Sequence, residues 1–127
     1  MKIRCEQDSI RLRLRKSELA QLKNEGWVRT SIHFPLGEML SWELAISETS
    51  PNLDAAFEQQ NIRITLPADA ARHWMESDLV SLEMHLALAG GNRLHLLVEK
   101  DFPCKDRPGE DKTDFFQELA ETTPPLC

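Results

Sequence analysis

Apolar runs long enough to cross a bilayer are missing from this chain; none approaches the roughly 18 residues of a spanning helix. The N-terminus passes from Met1-Lys2-Ile3-Arg4-Cys5 straight into alternating arginine and leucine, with no apolar h-region. A cytoplasmic location is the expectation. Cysteine is sparse: Cys5, Cys104 and Cys127 are an odd number at scattered positions, which argues against a disulfide scaffold. Glycine is also scarce, and its one pair, Gly90-Gly91, precedes no helical pattern, so it is a hairpin turn and not a phosphate loop. No nucleophile–base signature, calcium loop or Cys–His zinc spacing occurs, so no cofactor and no metal are expected. Low-complexity tracts and repeats with a period of 20–50 residues are absent as well.

What remains is a 127-residue chain with 41% hydrophobic and 28% charged residues, an ordinary composition for one small domain. The net charge of -6 conceals an asymmetry. Residues 1–29 hold eight Lys or Arg against four acids, and residues 101–127 hold three against seven. An acidic total disfavours nucleic acid as the main ligand.

Period two dominates the sequence. Ile10, Leu12 and Leu14 alternate with Arg11, Arg13 and Arg15, and the short segment at 2–6 precedes them as a hairpin arm. The same alternation marks strands near 28–34, 40–46, 62–66, 80–88 and 94–98, and residues 53–58 read as a weaker strand. Two interruptions read as short helices, about residues 17–25 and 68–76. Ser17 is the expected N-cap of the first and Gly26 its left-handed stop. The fold class is therefore α+β: about eight short antiparallel strands, in a barrel-like or two-layer sheet, with two short helices. Residues 1–102 form the expected domain, and 103–127 an acidic, Pro-containing tail, partly docked through Phe115, Phe116 and Leu119. Cys5 is expected to be buried, and Trp27, Trp42 and Trp74 to lie in the core or on its rim.

Several of these segments resemble a family of small uncharacterised bacterial proteins, a domain of unknown function. The resemblance rests on Ser9-Ile10-Arg11-Leu12-Arg13-Leu14 with Lys16-Ser17-Glu18, on Ile32-His33-Phe34, and on Leu97-Val98-Glu99-Lys100-Asp101-Phe102-Pro103-Cys104. Glu110-Asp111-Lys112-Thr113-Asp114-Phe115 completes it. It implies no activity.

Three groups of residues carry candidate chemistry. Arg11, Arg13 and Arg15 share a strand face, with Arg4 from the neighbouring arm, and a guanidinium row can fork onto phosphate or carboxylate oxygens. Glu99 and Lys100 join them as candidate ligand-binding residues; the plainer reading is a solvated face balanced by Glu43, Glu83 or Glu99. His85 and His95 flank the Gly90-Gly91 turn and face each other if their strands pair in one particular register. Two imidazoles can begin a zinc site but need a third ligand, such as Glu83 or Cys104; a packed surface pair is the plainer reading. Cys104 beside Lys105 and Arg107 is a candidate thiolate without a base. The leading functional reading is a non-catalytic binding module with a basic strand face, for an anionic small molecule or a protein partner. The alternative is a small hydrolase or transferase acting on a phosphorylated or carboxylated molecule in a barrel-like pocket. Neither involves a membrane, and a homodimer is compatible with both.

Overall fold

The computed structural model describes residues 1–102 and 113–120. The strands are β1 (Lys2–Glu6), β2 (Ser9–Leu14), β3 (Trp27–His33), β4 (Met39–Ser47), β5 (Asp54–Glu58), β6 (Asn61–Pro67), β7 (Ser81–Ala87) and β8 (Arg93–Lys100). Helix α1 (Lys16–Glu25) follows β2, α2 (Ala68–Glu76) follows β6, and a short α3 spans Gln117–Ala120. A 3-10 turn, Pro35–Gly37, links β3 to β4.

The strands form two four-stranded sheets, ordered β1-β2-β8-β7 and β3-β4-β6-β5. Each consists of two antiparallel hairpins joined side by side through a parallel pair, β2 with β8 and β4 with β6. This corrects the all-antiparallel expectation. Short links do make antiparallel hairpins, but β2 and β8 are distant in sequence and run parallel because the chain between them passes through the other sheet. Strands β4 and β6 run parallel because β5 carries the chain back along the edge of their own sheet. The barrel-like option also falls, since the described strands form two separate sheets. The two-layer option stands.

Alternation places Leu12, Leu14, Leu96 and Val98 of the first sheet and Val28, Trp42, Leu44, Ile64 and Leu66 of the second in one apolar cluster, completed by Leu19 and Leu22 of α1 and Ala71 and Trp74 of α2. Full burial of each such side chain is worth about 1.5–3 kcal/mol. Trp42 and Trp74 donate their indole N–H to the carbonyls of Met1 and Val80, both at 3.0 Å, so neither buries an unpaired donor. Trp27 instead lies half-exposed on the outer face of the second sheet.

Both helices form where alternation stops. Helix α1 begins one residue earlier than expected, with Arg15 as N-cap, and Ser17 is occupied elsewhere: its N–H and hydroxyl donate to Asp114 at 2.9 and 2.7 Å. Gly26 closes α1 in the left-handed region, φ 85°, as expected. Cys5 is exposed, which corrects its assignment to the interior. It lies on edge strand β1 opposite Ile10, where the inner face of the sheet is only partly covered. Phe115, Phe116 and Leu119 are buried, with backbone bonds from Lys16 N–H to the Asp114 carbonyl and from Phe116 N–H to the Asp101 carbonyl.

The architecture contains a repeat. The order ββαββ occurs twice, as β1-β2-α1-β3-β4 and β5-β6-α2-β7-β8. Residues about 52 positions apart occupy equivalent seats: Ile10 and Ile62, Arg11 and Arg63, Leu14 and Leu66, Leu22 and Trp74. The parallel registers match too, Ser9 opposite His95 in one sheet and Asn61 opposite Ser41 in the other. Even isolated bonds recur: the His95 N–H donates to the Asp8 carbonyl and the Ser41 N–H to that of Gln60. Asp8 and Gln60 both take positive φ, 50° and 61°, at the tips of equivalent hairpins.

Candidate functional site

On the outer face of the second sheet the two ladders bring Arg29, Glu43 and Arg63 into one row, Arg29 opposite Glu43 and Glu43 opposite Arg63. Glu43 is buried although it faces outward, because the two guanidiniums cover it. Arg29 donates from Nε and Nη2 to Oε1 at 3.0 and 2.6 Å, and Arg63 from Nε to Oε2 at 2.7 Å. Burial alone would raise the Glu43 pKa. The hydrogen bonds from Arg63 and Arg29, with their charges, outweigh it and hold the carboxyl below its ordinary value. Two cations on one anion leave the row with a net positive charge. The arginine side chains remain 45% and 51% exposed, and among the described residues the terminal nitrogens of Arg63 have no acceptor. Arg29 also lies 5.9 Å from the centre of the Trp27 ring, a cation–π distance.

A hollow of about 200 Å³ opens beside this row, lined by Arg29, Arg63, Ser41, Asn61, Glu58 and Met39 among others. Ser41 donates to the Asn61 side-chain oxygen at 2.7 Å, fixing that amide at the hollow's edge. Such an array of two charged forks, a hydroxyl and an amide can orient a small carboxylate or phosphate.

The first sheet holds a counterpart that is more closed. Arg11 and Arg13 both reach Glu99, Arg11 at 3.6 Å and Arg13 through a close Nε–Oε1 hydrogen bond. Their side chains are only 25% and 18% exposed, and Arg13 stacks toward the Phe102 ring. The structure thus brings together Arg11, Arg13 and Glu99 of the sequence-derived set. Arg15 leaves the row, capping α1 and lying over the Phe115 ring. Lys100 points to the opposite face, where it is buried and donates to the Ser77 carbonyl at 2.6 Å. Burial lowers its pKa, while Asp78 and Glu118 pull it back toward the ordinary value. Arg4 faces the same side as Arg11 but pairs with Glu6 at 2.8 Å.

On β7 and β8 the register does set His85 directly opposite His95. The rings stack at 4.5 Å between centroids and 9° between planes, with Glu83 beside both. Cys104, Lys105, Arg107, Glu110, Asp111 and Cys127 lie outside the described residues.

Sequence reasoning placed Arg29, Glu43 and Arg63 on polar strand faces but did not join them. The signal was partial: alternation gives the face, and only the β3–β4 and β4–β6 registers give the neighbours.

Fold and site define a two-sheet α+β domain built from a doubled ββαββ unit, with an arginine-gripped carboxylate on the outer face of each sheet. The chain belongs to the family of unknown function DUF7009, whose profile matches residues 1–119. No curated protein and no solved structure matches it. No described helix is long and apolar enough to cross a membrane.

Proposed function

We propose that the protein is a non-catalytic binding module that holds the carboxylate or phosphate of a small molecule against Arg29 and Arg63. One observation carries this reading: both guanidiniums are pinned by a buried, ionised Glu43, yet stay half-exposed at the mouth of a hollow. Pinning removes much of the side-chain entropy a ligand would otherwise have to remove, and so pre-organises the site. Arg11 and Arg13 are less suited, because Glu99 faces them in a more enclosed setting. The hydrolase or transferase alternative depends on a closed lumen, and the described strands enclose none.

The test is calorimetric titration with inorganic phosphate and then with citrate at low and high salt. Weak, salt-sensitive binding is expected, reduced roughly tenfold by Arg29→Gln or Arg63→Gln, about 1.4 kcal/mol for one charged fork. Arg11→Gln should leave it unchanged. Equal losses in all three variants, or none in any, would overturn the assignment.

A further inference from the structure

His85, His95 and Glu83 stand apart from the arginine row, on the other sheet, and their arrangement suits a different ligand. Each ring reaches Glu83 through Nε2, His85 at 3.4 Å from Oε1 and His95 at 3.5 Å from Oε2. These separations exceed good hydrogen-bond length. The His95 Nε2 is buried and has no hydrogen-bond partner, so one polar atom in the cluster is unsatisfied. One donor atom from each of the three side chains falls within 4.8 Å of the others.

Tetrahedral geometry gives those distances a meaning. Metal–ligand bonds of about 2.0–2.1 Å set neighbouring donor atoms about 3.4 Å apart. The two Glu83–histidine separations have that length, but they end on different oxygens, Oε1 for His85 and Oε2 for His95. For one ion to be shared, the carboxylate has to turn and the edge between the two imidazole nitrogens has to adjust. Nearly parallel rings aim their in-plane lone pairs in parallel directions, so a shared ion requires the stack to open by rotation of the rings about their side-chain bonds.

We propose that Glu83, His85 and His95 form a site for a late first-row divalent cation such as Zn²⁺, held by three protein ligands with water at the fourth position. Two imidazoles and one carboxylate select zinc, copper or nickel over magnesium or calcium, which prefer all-oxygen shells. Three ligands on an exposed strand pair make an exchangeable site, in contrast to the closed four-ligand set of structural zinc. The hairpin positions the donors without the metal: Gly90 and Gly91 take positive φ in the turn, the Leu88 N–H donates to the Asn92 carbonyl at 2.8 Å, and the ladder fixes the His85–His95 pairing. Strand β7 is the sheet's edge, and the Glu83 and His85 side chains it carries are about half-exposed.

The experiment adds Co²⁺ and then Zn²⁺ to the full chain, following the cobalt d–d absorption and the imidazole nitrogen resonances. One Co²⁺ per chain with tetrahedral intensity is expected, displaced by Zn²⁺, with shifts confined to His85 and His95. Changing even a residue behind a ligand costs 10–100-fold in metal affinity, so losing a ligand should cost roughly tenfold or more. His85→Ala, His95→Ala and Glu83→Gln are all expected to show this, while His33→Ala and His73→Ala should not. These ligands are partly exposed, so their variants should keep the wild-type circular dichroism. Absence of binding at roughly 0.1 mM metal, or binding that survives the His85→Ala/His95→Ala double variant, would overturn the site. Neither result bears on phosphate binding at Arg29 and Arg63.

Discussion

Replacing Glu43 by Gln keeps the shape of the side chain and removes the charge beneath Arg29 and Arg63. Breaking a buried ion pair by deleting one partner costs about 3–5 kcal/mol when the surviving charge is trapped. Here the survivors are two guanidiniums, each about half-exposed and able to turn into water, so solvent screening reduces the cost. A loss of about 2 kcal/mol follows, or roughly 7 °C in Tm for a domain of this size. Urea denaturation would read it as a lower midpoint at unchanged slope.

The pH dependence supplies a second reading. The folded-state pKa of Glu43 lies below its ordinary value, so its stabilisation is fully present above the unfolded value, about pH 4.3. It fades as pH falls through the folded pKa. Wild type and Glu43→Gln should therefore differ most near neutrality and converge in acid. Phosphate at neutral pH should raise the Tm of Glu43→Gln more than that of the wild type, because it replaces the missing anion. The reasoning is refuted by a gap under about 0.5 kcal/mol at pH 7, the scatter of ordinary surface substitutions. A gap that persists undiminished at pH 3 refutes it equally.

Trp74→Ala and Leu22→Ala empty equivalent seats in the two repeats, and each should cost about 3–5 and 2–5 kcal/mol respectively by chemical denaturation; a cost below about 1 kcal/mol at either would place that side chain outside the core. Lys100 titrates below its ordinary value in the fold, so between that pKa and about 10.4 the unfolded chain holds the extra proton and stability rises with pH. The stability of wild type relative to Lys100→Met, measured at pH 7 and pH 10, should grow in the wild type's favour. Asp114→Ala removes two acceptor contacts to Ser17 and should cost about 1 kcal/mol, while Phe116→Ala should cost about 3 kcal/mol. If neither moves the Tm, the segment around α3 does not stabilise the domain.

The local level of this fold is legible in the chain. Alternation marks every strand but β5, whose segment reads only weakly, Gly26 marks the end of α1, and Gly90-Gly91 sets the hairpin that pairs His85 with His95. The parallel pairings are another matter, because β2 meets β8 across more than half the chain and nothing in either strand announces its neighbour. For that reason Arg13 and Glu99 could be named together only as candidates, and the Arg29–Glu43–Arg63 row could not be assembled at all. Lys100 shows the converse limit: adjacent to Glu99 in sequence, it points to the opposite face and contributes to the core. The repeat escapes notice because only scattered members keep their identity, as Ile10 and Ile62 or Arg11 and Arg63 do, and the rest diverge. Arg13 corresponds to Thr65, Ser17 to Asp69 and Leu22 to Trp74.

That repeat is interlocked. Each sheet takes one hairpin from each half, β1-β2 with β7-β8 and β5-β6 with β3-β4, so neither half contains a complete sheet. Two isolated hairpins and one short helix leave Leu12, Leu44 and their neighbours without a facing layer, and two-stranded ribbons of this kind are marginal in water. Cutting the chain between Ser50 and Pro51, in the loop between β4 and β5, breaks no strand ladder. Residues 1–50 and 51–127, made separately, should lack the near-ultraviolet dichroism of a packed tryptophan core and should regain it on mixing, with Trp42 and Trp74 contributed by opposite halves. A monomeric 1–50 fragment that shows cooperative unfolding on its own would contradict this. It would mean that the parallel pairs add to a fold each half already possesses, and the arginine row, which spans β3, β4 and β6, would then be a product of assembly between two folded units.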